Sequence, residues 1–98
     1  MIYTAKFPSS AIQKKFQKNL SKISEEIQDK ILKSIESLQN NPRPFGAKLF
    51  KQLSPPIQLY SYVAQYRIRI GNYRVLYDMD DERRIVWIFA VRNEGTYR

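Results

Sequence analysis

The stretch YRIRIGNYRVLY, Tyr66 to Tyr77, sets basic and apolar residues in alternation on either side of Gly71-Asn72. That two-residue period belongs to a β-strand, and a Gly-Asn pair suits a tight hairpin turn. With Gly71-Asn72 as the whole loop, Ile70 faces Tyr73, Arg69 faces Arg74 and Arg67 faces Leu76. Tyr66, Ile68 and Ile70 then turn to one side of the hairpin, and Arg67, Arg69 and Arg74 to the other. Like charges opposed across two strands cost stability, so an anionic partner is expected to compensate them. The competing expectation is a plain polar sheet face on which the arginines pair with Asp78 or Glu94.

Downstream, Asp78 to Arg83 reads as the next turn, and RIVWIFAV, Arg84 to Val91, is apolar almost throughout. A strand of that composition is expected at the centre of a sheet, covered on both faces. Upstream, IYTAKF (Ile2 to Phe7) reads as a short strand, with Tyr3, Ala5 and Phe7 on one face. Pro8-Ser9-Ser10 breaks it and offers a helix N-cap. Ile12, Phe16 and Leu20 recur every four residues and form the apolar side of a first helix, with Lys14, Lys15, Lys18 and Lys22 on its solvated surface. Ser21 or Ser24 can cap a second helix, whose Glu25 and Glu26 suit its N-terminal dipole. Its stripe is Ile27, Ile31, Ile35 and Leu38, and Asn40-Asn41-Pro42 ends it. Between this helical hairpin and the strands, RPFGAKLFKQLSPP (Arg43 to Pro56) reads as irregular, anchored by Leu49, Phe50 and Leu53. The segment from Gln58 to Ile70 reads as extended.

The chain has 98 residues, enough for one domain with a modest core. It contains no cysteine and no histidine, which removes disulfides, thiolate chemistry, the usual general base and the common metal ligands. Asp78, Asp80, Asp81 and Glu82 lack calcium-loop spacing and read as a charged turn. No apolar run approaches the ~20 residues of a membrane span, and the N-terminal residues lack the features of a secretory signal. A cytoplasmic location is expected. The net charge is +8, and no acidic residue occurs from Ser37 through Tyr77, where Arg43, Lys48, Lys51, Arg67, Arg69 and Arg74 all fall. Basic sequence segregated in this way suggests an anionic partner, either nucleic acid or an acidic protein.

The side chains left for chemistry are arginine, lysine and tyrosine. They suit RNA cleavage by the ribose 2′-OH, which passes through a phosphorane with added negative charge. Guanidinium forks can hold two oxygens of that group and stay protonated at any useful pH. A phenol is a poor base at its free pKa of about 10, but neighbouring guanidinium groups favour the phenolate. Tyr97, close in sequence to Arg92 and Arg98, is the candidate.

The core YRIRIGNYRVLYDMDDE, the apolar strand after it and the tail RNEGTYR together resemble the RelE/ParE superfamily of toxins from bacterial toxin–antitoxin systems. The resemblance covers most of the chain. It implies an α+β fold of one domain over residues 1–98, RelE-like, with two N-terminal helices packed on a curved antiparallel sheet. In the RelE branch it also implies a metal-independent endoribonuclease without cofactors, an mRNA interferase that enters the ribosomal A site and inhibits translation. Carried over by position, Arg67 and Arg69 match the two basic residues of the strand before the turn. Arg74 matches the phosphate-binding arginine after it, Arg92 the arginine following the last strand, and Tyr97 the C-terminal tyrosine. Lys48 and Lys51 fall in the basic connector, where family members contact ribosomal RNA. The partners implied are a cognate antitoxin, bound as a hetero-oligomer, and ribosome-bound mRNA. The same core occurs in ParE-like members that poison DNA gyrase. A gyrase inhibitor and a non-toxic basic RNA-binding domain therefore stand as the alternatives to the RNase.

Overall fold

The β3–β4 hairpin carries the register that the alternation dictates. In the computed structural model, which describes residues 2–44 and 49–93, strands β3 (Tyr62–Ile70) and β4 (Tyr73–Asp80) flank Gly71-Asn72. Ile70 pairs with Tyr73, Arg69 with Arg74 and Arg67 with Leu76. Gly71 adopts φ +59°, at the first central position where tight hairpins of the II′ kind call for glycine.

The other elements are β1 (Thr4–Lys6), α1 (Ser10–Ser21), α2 (Glu25–Leu38), β2 (Phe50–Leu59) and β5 (Ile85–Asn93). The five strands lie in the order β1-β5-β4-β3-β2. The sheet is antiparallel, as expected, except at one edge, where β1 runs parallel to β5. As expected, β5 is internal and has buried residues on both faces, with Val86, Ile88 and Val91 on one and Phe89 on the other.

Both helices form for local reasons. Ser9 caps α1, its Oγ accepting the Ile12 amide at 3.2 Å, and Ile12, Phe16 and Leu20 are buried as the four-residue spacing requires. Ser24 holds the N-cap position of α2 without a side-chain cap bond. Instead, the Gln28 amide donates to the Ile23 carbonyl at 2.7 Å and ties the second helix to the end of the first. Ile31 and Leu38 are buried, with Ile27 and Ile35 partly so. At the end of α2, the Gln39 carbonyl accepts the amides of Ile2 and Tyr3, and its side-chain oxygen accepts that of Ala5 at 3.0 Å. One residue thus staples β1 to the helical layer.

The residues that read as an irregular connector are in part a strand. Phe50 to Leu59 forms β2, which pairs with β3 and is an edge strand among the described residues. Its register slips between Gln52 and Ile57, so Leu53, Ser54, Pro55 and Pro56 occupy a bulge. An edge strand and a bulge are the two places in a sheet where proline is tolerated. Phe50 anchors on the helical side and Leu53 on the other, whereas Leu49 stays exposed. The single extended run expected from Gln58 to Ile70 is interrupted by a turn at Tyr60-Ser61, with Tyr60 at φ 58°.

The 39–44 segment is pinned under the sheet. Tyr77 is fully buried and its hydroxyl donates to the Pro42 carbonyl at 2.7 Å, which satisfies a polar group inside the core; burial pushes the phenol up from its usual pKa. Arg43 forks onto both oxygens of Asp81 at 3.2 and 2.7 Å, and the Tyr3 hydroxyl donates to the same carboxylate at 2.6 Å. The hydrogen bonds from Arg43 and then Tyr3 hold the Asp81 pKa down at about 2.

Candidate nucleic-acid interface

The face of the sheet away from the helices gathers the arginines. Arg69 pairs with Arg74 on β4, and Arg74 pairs with Arg92 on β5. The three therefore form one row across three adjacent strands. One step along, Lys51, Arg67, Leu76 and Ala90 form a parallel row. Strand neighbours are ~5 Å apart, a spacing that lets adjacent guanidinium groups reach a single phosphate or two successive ones.

A register shift on β5 shapes this face. Leu76 pairs with Ala90 but Tyr77 with Ile88, which leaves Phe89 as an extra residue. The bulge lets Phe89 and Ala90 both serve the second, smaller core, where Phe89 stacks on Tyr62 with ring centroids 5.5 Å apart. It also resets the alternation, so that Arg92 lines up with Arg74.

The arginines differ in how they are held. Arg67 is only 9% exposed, and its Nη1 donates to the Leu49 carbonyl at 3.2 Å. That carbonyl also accepts the Arg69 amide at 2.7 Å. Arg69 is exposed, and its Nε donates to the Gly71 carbonyl at 3.3 Å across the turn. Arg92 is half-buried. Burial lowers its pKa first and the charge of Arg74 lowers it further, with Tyr60 acting in the opposite sense. An arginine starts so high that it keeps its proton, so the lowering reflects first the partial burial of Arg92 and then the nearness of Arg74. Asp78, one candidate counter-ion, accepts the Met79 amide at 2.8 Å, and burial raises its pKa.

Of the residues singled out from the sequence, Arg67, Arg69, Arg74 and Arg92 lie together on this face, and Lys51 is exposed on β2 opposite Arg67. Lys48 and Tyr97 lie outside the described residues. Sequence reasoning missed the approach of the β2–β3 tip to α1. There Lys15 Nζ sits 4.7 Å from the centre of the Tyr60 ring and donates to its hydroxyl. β4 lies between β3 and β5 in the sheet, so the contacts of Tyr60 with Lys15 on α1 and of Tyr62 with Phe89 on β5 require the β2–β3 hairpin to curl toward β5. Between the tip, α1 and β5 lies a cleft that includes Arg92. The only sequence signal for it was the cluster of tyrosines around Tyr60. Among the described residues there is no group of three or more potential metal ligands.

The family model described as the ParE toxin of the type II toxin–antitoxin system parDE matches residues 11–96, and the chain belongs to this family. It is a toxin of a type II toxin–antitoxin system, within the RelE/ParE superfamily. Its fold is similar to that of the archaeal RelE–RelB complex from Pyrococcus horikoshii, with a TM-score of 0.70 at 20% identity over 98% of this chain and 99% of that one. It is also similar to the Mycobacterium tuberculosis toxin–antitoxin complex RelBE2, with a TM-score of 0.63 at 23% identity over 95% of this chain and 99% of that one. A free Escherichia coli RelE mutant aligns with a TM-score of 0.53 at 19% identity, over 98% of this chain and 88% of that one. No curated protein matches the sequence.

Proposed function

We propose that this toxin is a ribosome-dependent mRNA endoribonuclease, and the Arg69–Arg74–Arg92 row is the observation that carries the reading. Arg69 and Arg74 would hold the non-bridging oxygens of the scissile phosphate, with Arg67 adding charge from the next row. The ribose 2′-OH attacks phosphorus after losing its proton to Tyr97. The P–O5′ bond breaks, and Arg92 stabilises or protonates the departing oxygen. The products are a 2′,3′-cyclic phosphate and a 5′-hydroxyl, and no metal or cofactor takes part. Fixed donors aimed at developing charge are often the largest catalytic contribution, with ~3–4 kcal/mol lost per donor removed. Lys48 and Lys51 in the basic connector would contact ribosomal RNA, which would position the substrate. Such a toxin works in the cytoplasm, restrained by an antitoxin that covers the basic face with acidic and apolar residues. The solved complexes of similar fold contain a toxin with its antitoxin, in support of that partner.

The family match over residues 11–96 favours a second reading, a gyrase inhibitor that acts by binding. Two assays separate them. Toeprinting in a translation extract is expected to reveal mRNA cut in the A site, with cutting abolished in Tyr97→Phe. Supercoiling by purified gyrase is expected to proceed normally with the protein present. Intact ribosome-bound mRNA together with arrested gyrase would replace the first reading by the second.

A further inference from the structure

The cleft beside Arg92 has a volume of about 230 Å³, below the ~300–1,000 Å³ of sites that take drug-sized ligands. That size suits one flat ring system. Leu59 and Phe89 give it apolar walls, while Asn19, Gln58, Tyr60 and Arg92 supply its polar and aromatic groups. Carboxamides offer donors and an acceptor side by side, the complement of a nucleobase edge; Gln58 Nε2 gives one hydrogen to the Tyr60 carbonyl at 2.7 Å, which fixes the side chain and leaves its other hydrogen and its oxygen for a base. Tyr60 is 66% exposed, at the end of a hairpin braced against α1 through Lys15. Among the described residues that line the cleft, none is acidic, and Lys15 and Arg92 are cationic. Arg92 belongs at once to this cleft and to the arginine row, so a base in the cleft and a phosphate on the row would lie within one nucleotide of each other.

We propose that this cleft receives a single nucleobase of the RNA whose backbone lies on the arginine row, with Tyr60 stacking on the base and Asn19 and Gln58 reading its edge. The inference rests on the RNA-directed reading above and deepens it. Base preference would then reside on α1 and the β2–β3 tip, outside the residues that grip phosphate. An aromatic ring gives affinity for any base, because every base has a π-face; the two amides give the preference, because their donors and acceptors fit one edge better than another.

The test uses the full-length wild-type chain and four 2′-O-methyl homotrinucleotides, which the 2′-OH chemistry cannot cleave, beside an abasic trimer with the same phosphates. Side-chain amide signals of Asn19 and Gln58, and the Nε signals of Arg69, Arg74 and Arg92, are followed by NMR. Base-bearing trimers are expected to shift both sets, unequally among the four bases, and the abasic trimer to shift the arginines alone. Tyr60→Ala should weaken the best trimer ~10-fold and leave the abasic one unchanged. Arginine shifts with all trimers but silent amides would overturn the base site and leave the phosphate row intact. Amide shifts without arginine shifts would keep the base site and remove the row. No shift in either set would overturn both.

Discussion

The two faces of the sheet divide the work of the protein. Among the described residues, twelve buried ones form a core against the helices that includes Ile31, Leu38, Val75, Tyr77 and Val86. On the opposite face the described residues Leu59, Ala64, Leu76 and Phe89 form a smaller buried cluster, and beside them the arginine row crosses three strands. Opposed like charges are destabilising by ~0.2–1 kcal/mol per pair, whereas one well-packed aliphatic side chain is worth ~2–5 kcal/mol. The helical face can therefore carry the charged one. Cationic side chains gathered on one face in this way are what the proposed anionic partner would require.

The largest test of that division is Ile31→Ala, at a fully buried position. It is expected to cost ~2–5 kcal/mol in urea denaturation; a loss under ~1 kcal/mol would contradict the assignment of stability to the helical face. Tyr77→Phe removes the hydroxyl that donates to the buried Pro42 carbonyl and is expected to cost ~1–3 kcal/mol, readable as a lower melting temperature. Asp81→Asn should cost ~0.2–1 kcal/mol at neutral pH, because the Arg43–Asp81 pair is largely exposed and screened. The folded-state pKa of Asp81 is depressed to about 2 from ~3.9 in an unfolded chain. The wild-type advantage over Asp81→Asn is thus full above pH ~4 and fades as pH falls through about 2. An advantage that persisted below that pH would dismiss the carboxylate as its source. Smallest of all, Arg74→Gln is expected to move stability by less than ~0.5 kcal/mol, since relief of repulsion offsets lost contacts. A loss above ~1 kcal/mol would make the row structural.

The same two faces differ in how far the sequence discloses them. The β3–β4 register was legible because a glycine turn separates an alternating segment, Tyr66 to Ile70, from a second one that opens Tyr73-Arg74-Val75, and the helical stripes because Ile12, Phe16 and Leu20 repeat at one spacing. Arg69 and Arg74 followed directly. Arg92 could be placed by resemblance, but its alignment with Arg74 depends on the Phe89 bulge, which has no local sequence signal. β2 was hidden by its prolines, which ordinarily argue against a strand and here sit in a bulge on an edge. The Tyr60-Ser61 turn was hidden because it lacks the glycine, asparagine or proline that usually marks one, and with it went the cleft. The parallel pairing of β1 is set by the staple at Gln39, a tertiary contact between residues far apart in the chain.

The central claim, that the arginine row serves RNA and not the fold, is tested most directly by the rate of mRNA cleavage on programmed ribosomes for wild type and Arg74→Gln, each first confirmed to melt at a similar temperature. The account predicts a ~100-fold or greater loss of cleavage in a variant that remains as well folded as the wild type. Cleavage at the wild-type rate by the folded variant would contradict it.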